Sequence, residues 1–424
     1  MKYLAAVILL IAVPLMGSVL IQKRFSVLEH PAINYYETAP TDSIAALQQR
    51  LDSGEVRLER SGAHGYLESL LRALKIDVSS QILVTSKTSL QIQHISPQTP
   101  RAIYFNEDTY VGWVQDSPVL EITTVDPKLG AVFYSIDQDA AGMQIKRETS
   151  LCLSCHNPDA PSHVMDSTVP DDKGVPVYYT GLFETTDRSP LRERWGGWYV
   201  TGTHGDQFHM GNLILRDLPP SKPGVTRNTI TLDRSKGANV TDLSSYFDAS
   251  KYITGYSDII ALMVLGHQIS VENQVTELGY ASRKAIYDSR GADSLAIYQA
   301  KADKLVDALL FVDEAQLSGR ISGTSGFAED FQKRGLRDSA GRSLRDLDLN
   351  RRLFKYPLSY VIYSSAFDSL PSPARNYVSQ RLGEVLMGSD RSSKFDHISM
   401  EDRRTIVDIV RDTKPEIFAM WNSR

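Results

Sequence analysis

Both cysteines of this 424-residue chain fall in one pentapeptide, Cys152-Leu153-Ser154-Cys155-His156. This constrains the chain more than any other feature, because C-x-x-C-H is the pattern of covalent c-type haem attachment. The spacing has a chemical reason: each thiol bonds one vinyl-derived carbon of the porphyrin, and the adjacent imidazole reaches the iron from below. Cys152 and Cys155 are therefore the expected attachment residues of one covalent haem c, and His156 its expected proximal ligand. A disulfide or half of a zinc site is the other reading. It makes the histidine incidental, and no second C-x-x-C or H-x3-H partner completes a zinc site. A thioredoxin-like motif wants a strand before and a helix after it. Here the motif runs into Asn157-Pro158-Asp159-Ala160-Pro161, which cannot start a helix cleanly.

The N-terminus bears on the compartment. After Lys2 an uncharged stretch runs from Tyr3 to Ile21, rich in Leu, Ile, Val and Ala, followed by Lys23 and Arg24. Residues 1–24 read as an export signal or anchor. No convincing A-x-A site follows, which favours an uncleaved anchor over cleavage near Ser18, and no cysteine is present there to accept a lipid. Lys2 and the terminal amine balance Lys23 and Arg24, so orientation comes from the haem motif instead. Covalent haem attachment is an export-side process in bacteria. The chain is therefore expected on the periplasmic side of the inner membrane, held through residues 3–21, or in the soluble periplasm if the signal is cleaved. A net charge of -5 gives no basic field to hold nucleic acid.

With 42% apolar residues, a mature part of this length suggests two packed units. Residues 25–41, polar and with two prolines, read as a tether; 42–216 as an α+β haem-attachment region; 217–424 as a mainly helical region packing on it. Thr41 or Asp42 caps a helix through Leu51, and a second helix spans Tyr66 to Leu74. From Gln81 the apolar period becomes two. Ile82–Thr85, Ser89–Ile95, Ala102–Phe105, Tyr110–Val114, Val119–Thr124 and Ala131–Ile136 read as strands of an antiparallel meander, and Val175–Glu184 as a strand pair. Beyond Pro219 helices are expected over Ser257–Leu278 and Ser294–Val312. Further helices are expected from Leu358 to Phe367, from Ser372 to Met387, and after Ser399. The fold class is α+β, an antiparallel β-rich part with the haem motif followed by a helical part, unlike a small all-α cytochrome c.

A second dense region, DRSPLRERWGGWYVTGTHGDQFHMGN, runs from Asp187 to Asn212. Arg188, Arg192 and Arg194 are candidates for haem propionates, or for surface pairs with Asp187 and Glu193. Trp195 and Trp198 flank two glycines that permit close approach to a flat macrocycle; an ordinary core explains them as well. Met210, some fifty residues after the motif, is a candidate sixth iron ligand. His204 and His209 are weaker ligand candidates, and acid-base candidates for a catalytic site. His267 lies on the apolar stripe of its helix, so it is either an iron ligand, ranked just ahead of Met210, or a core histidine with both nitrogens satisfied.

The stretches SSQILVTSKTSLQ, PRAIYFNEDTYVGWV, VDPKLGAVFYSIDQ, ETSLCLSCHN, SPLRERWGGWYVTGTHG, HMGN and LFKYPLSYVIYSSAFDSLP resemble a family of exported single-haem cytochrome c-like proteins, over most of residues 64–390. In similar sequences the helix around His267 carries H-Q and then Asn, matched here by His267, Gln268 and Asn273; Glu272 replaces a histidine often found there. The resemblance implies haem and electron transfer, with a redox partner protein or a small-molecule donor or acceptor, and names no substrate. Two classes of function remain: an electron carrier with a six-coordinate iron, and a haem oxidoreductase open to peroxide or a small inorganic substrate. A structural haem is the third.

Overall fold

The computed structural model describes residues 27–139, 143–156, 159–216, 232–290 and 294–421. The anchor expected at residues 3–21 lies outside them. Among the described residues no helix is long and apolar enough to cross a membrane. The chain is α+β, with an antiparallel sheet in its N-terminal half and helices in its C-terminal half.

Helices α1 (Ser43–Asp52) and α2 (Leu67–Leu74) lead into the strands β1 (Ile82–Val84), β2 (Arg101–Phe105), β3 (Thr109–Trp113), β4 (Val119–Asp126), β5 (Gly130–Asp137) and β6 (Ile145–Glu148). The short helix α3 (Leu151–Cys155) carries the motif; β7 (Asp166–Ser167) and β8 (Phe183–Glu184) form a small ribbon, and β9 (Trp198–Tyr199) returns to the sheet beside β1. The order is β6-β5-β4-β3-β2-β1-β9. Alternation sends Ile82, Val84, Phe105, Tyr110 and Val125 into one core and Leu83, Tyr104, Val111, Trp113, Leu120 and Ile122 into another. The β4–β5 turn requires glycine: Gly130 sits at φ +69°, and a Cβ there would lie 2.2 Å from the Thr276 methyl carbon.

The first core is filled by α4 (Ile259–Asp288), whose N-terminal half is apolar and buried all round. Asp258 caps it, accepting from the Ile260 amide at 2.7 Å through Oδ1 and from the Thr324 and Ser325 amides at 2.8 Å through Oδ2. Around it lie α5 (Leu295–Leu309), α6 (Phe327–Lys333), α7 (Ser365–Asp368), α8 (Ser372–Leu386), α9 (Met400–Thr413) and α10 (Pro415–Trp421).

Several local expectations change. The tether is packed from residue 27 onward: Leu28 and Tyr35 are fully buried, and the Tyr35 hydroxyl donates to the Ala131 carbonyl at 2.8 Å. Asp42 is the α1 cap, through a 2.8 Å bond from the Ala45 amide. Ser89–Ile95 is no strand. Ser89 Oγ accepts from the Gln91 amide at 3.1 Å, a local turn that competes with ladder pairing. Of the Val175–Glu184 pair only Phe183–Glu184 is a strand, and its partner is Asp166–Ser167. The Leu358–Phe367 stretch is a 3-10 turn over Tyr360–Tyr363 and then α7, each opened by its own serine cap, Ser359 and Ser364. α4 runs ten residues past the expected end, to Asp288.

Candidate functional site

α3 leaves β6 and lies over the sheet face that carries Phe133. Cys155 is exposed, Cys152 half-buried, and Leu151 keeps 61% of its surface in solvent. His156 is the C-cap of this turn, its amide donating to the Cys152 carbonyl at 3.0 Å. Its ring lies 5.1 Å from that of Phe133, and Nδ1 sits 3.0 Å from the Ser162 carbonyl. A carbonyl only accepts, so Nδ1 carries the proton and Nε2 carries the lone pair. Burial lowers the pKa of the ring, which favours the neutral form.

The reactivity of a thiol follows its surroundings. Burial first, then the Glu121 and Glu148 carboxylates, push the Cys152 thiol up to about 11. Among the described residues no group of three His, Cys, Asp or Glu side chains is placed to hold a metal ion. A haem asks less: two thiols, one imidazole with a free Nε2 and apolar surface against the macrocycle. Large apolar side chains are exposed on the motif (Leu151), on the β1–β2 connection (Leu90, Ile92) and on the chain after the motif (Val164, Tyr178, Leu182). The residues present fit the group on these counts.

The Asp187–Asn212 region is built differently. Arg194 is buried, and its guanidinium donates to the Ser189 carbonyl at 2.7 Å and the Asp187 carbonyl at 3.0 Å. Arg188 donates to the Val312 carbonyl at 3.1 Å, and Arg192 is an exposed partner of Glu193 at 3.5 Å. The two glycines do permit a close approach, but to protein: a Cβ on Gly196 would lie 2.8 Å from the Thr168 backbone. Trp195 is fully buried at φ +67°, and Trp198 Nε1 donates to the Asp166 carbonyl at 2.9 Å. His209 is packed edge-on between Trp195 and His204, with ring centroids at 5.5 and 4.8 Å. Burial holds the His209 pKa down at about 3, which keeps its ring neutral near neutral pH, and it lowers that of His204. Met210 is fully buried, its sulfur 3.9 Å from Ser167 Oγ.

His267 has both nitrogens engaged, Nδ1 with Asp187 Oδ2 at 2.8 Å and Nε2 with Ser359 Oγ at 2.7 Å. The ring stacks on Phe311 at 4.6 Å. Both nitrogens are satisfied, as the core reading of this histidine requires. An Asp-His-Ser chain with such spacings also serves hydrolases, but Ser359 is fully buried and its Oγ accepts the Val361 amide. Glu272 is equally internal. Its Oε2 meets the Tyr110 hydroxyl at 2.6 Å, and burial raises its pKa well above the carboxylate range.

Three residues near the motif carry no signal of their role in the sequence. Ser162 acts through its carbonyl, which every residue has. His163 is gripped by Asn273, which accepts from its amide at 2.9 Å and donates to its carbonyl at 2.8 Å, and its ring lies 4.5 Å from that of Tyr110. Arg101 is the arginine whose charge acts on both Cys152 and His156, and it pairs with Glu121 at 3.4 Å. The alternation of β2 puts it on the same face as Ile103 and Phe105, but only the path of the chain beyond β6 brings α3 to that face. Comparison of the chain with family models, with curated proteins and with solved structures gives no match in any of the three.

Proposed function

We propose that this chain is an exported c-type cytochrome that carries one covalent haem on Cys152 and Cys155 and transfers electrons on the periplasmic side of the inner membrane. The observation that carries the reading is the His156–Ser162 contact of 3.0 Å, which fixes the imidazole with Nε2 as its free base beside two unpaired thiols. Attachment adds each S–H across a vinyl group: a carbon–sulfur bond forms and the hydrogen goes to the neighbouring carbon, with no net oxidant. When bound, the haem supplies one-electron chemistry.

The chain's own residues then divide the work. Cys152 and Cys155 tether, His156 ligates, and the Ser162 carbonyl holds the ring's orientation and raises its basicity. Arg101 is the candidate for a propionate, in place of Arg188, Arg192 and Arg194, because its charge already acts on the motif. Exposure of Cys155 and Leu151 supports a cofactor edge near the surface, where a redox partner protein or small donor can approach. The same exposure favours the second reading, a haem oxidoreductase with a small substrate, for which His209, held neutral by burial, is a poor acid-base group.

The test is expression with export and haem-attachment functions intact. Haem-dependent peroxidase staining should survive a denaturing gel, and Cys152→Ala with Cys155→Ala should abolish it. Staining that persists in the double variant sinks the reading. Cell fractionation should place the holoprotein at the membrane with its bulk accessible from the periplasm; a haem-bearing protein in the cytoplasm sinks the assignment of compartment.

A further inference from the structure

We infer that the iron held by His156 would take no second axial ligand from the described residues of this chain, so that its other face would bind small neutral Lewis bases, with imidazole for the ferric and carbon monoxide for the ferrous state as probes. This rests on the haem reading above and goes beyond it by assigning an exogenous ligand site.

The chain has nine histidines, and all lie in described residues. His267 is held at both nitrogens, by Asp187 and Ser359. His204 Nε2 accepts the Asn239 amide at 3.0 Å, so its Nδ1 is the protonated nitrogen and offers no lone pair. His209 is enclosed between His204 and Trp195. His163 has its backbone fixed by Asn273 and its ring buried against that of Tyr110 at 4.5 Å, with Nε2 left unpartnered there. His30, His64 and His397 are bonded to Asp288, Glu68 and the Leu310 carbonyl.

Methionine gives the same result at the position that the spacing from the motif favours. Met210 is fully buried in a small separate cluster with Val169 and Leu213, and its amide is tied to the Arg194 carbonyl at 2.9 Å. Swinging it to another element would break that cluster and the Arg194 anchor together. The motif, by contrast, is at the surface, with Ser154 and Cys155 exposed. The ligand that completes the iron is therefore one that diffuses in. Other side chains can contest this, among them half-buried His94 on the β1–β2 connection, Met143 just before β6, and His397, whose Nδ1 keeps its lone pair because Nε2 donates to the Leu310 carbonyl.

The full-length ferric holoprotein near neutral pH decides by absorption and electron paramagnetic resonance. The expected spectrum is high-spin, converting completely and saturably to low-spin on titration with imidazole, with carbon monoxide binding after reduction. His94→Ala and Met143→Leu should leave the starting spectrum unchanged. A low-spin ferric spectrum that excess imidazole does not alter overturns the inference. So does a shift from low-spin to high-spin in either variant, which would name the internal ligand. Absence of covalent haem on the denaturing gel is a different failure, that of the underlying reading.

Discussion

Leu151, Ser154 and Cys155 stand in solvent, whereas Arg194, Trp195, His204, His209 and Met210 are all buried. Both regions are crowded with side chains that do chemistry, and in the sequence both look like sites. The difference lies in access, because the loop too keeps unpartnered polar atoms, Trp195 Nε1, His204 Nδ1 and His209 Nδ1, but all of them are buried. Around the motif the thiols are unpaired and His156 keeps a free Nε2; in the loop, Arg194 and Asn212 bond to backbone and Met210 fills a core. Residue type alone does not separate a site from a structural hub. Unspent bonding capacity at an accessible place marks the better candidate.

Four experiments put that contrast at risk. Cys152→Ala with Cys155→Ala should remove all covalent haem and leave the urea midpoint of the haem-free protein within about 0.5 kcal/mol of the haem-free parent, since Cys155 is exposed and Cys152 half-buried. Collapse of the haem-free fold in that variant would make the motif part of the core. Arg194→Met should behave in the opposite way: staining persists, and stability falls by about 3 to 5 kcal/mol, because two carbonyls and the nearby Asp187 and Glu314 lose their buried cation. A haem-free but stable variant would return this arginine to the cofactor.

His267→Ala should cost about 2 to 4 kcal/mol through two lost hydrogen bonds and a lost stacking partner, with no change in the haem spectrum. A change of spin state would restore His267 as a ligand. The last effect is one of pH. His163 and His209 are both held near pKa 3 by burial, against an ordinary 6.5. Between those values the unfolded chain binds protons that the folded one refuses, so their contribution is full above pH 6.5 and is lost as pH falls toward 3. His209→Gln should flatten the acid side of a stability-against-pH curve by at most about 1.4 kcal/mol per pH unit, while the parent stays flatter near neutrality. An unchanged acid limb would show that His209 is hydrated.

The reading of the pentapeptide rests on a local pattern, three residues at fixed spacing, and so needs no distant partner. The strands from Ala102 to Ile136 are readable for a similar reason, since each shows its own period of two. The hidden parts depend on partners distant in sequence. His267 on an apolar stripe fits a ligand or a core residue equally until Asp187 and Ser359 arrive from either side. Ser162 contributes a carbonyl that any residue has. Ser89–Ile95 has strand-like composition, yet its serine hydroxyl closes a turn. β9 is two residues long and carries no periodic signal of its own.

That short strand sets an order of assembly. Val84 pairs with Trp198, and Leu83 with Tyr199, so the stretch of chain that this pairing closes contains the whole motif. Contacts of such long sequence separation form late, because the entropy of loop closure must be met before they return anything. If the chain is exported N-terminus first, as proposed, Cys152–His156 emerges before β9 does, with one edge of β1 still open. We expect the thiols to be modified in that interval, so that the covalent mark precedes the locking of the topology. In pulse-labelled cells, haem should appear on the chain before the Leu83 amide becomes protected from exchange; protection that comes first would reverse the order.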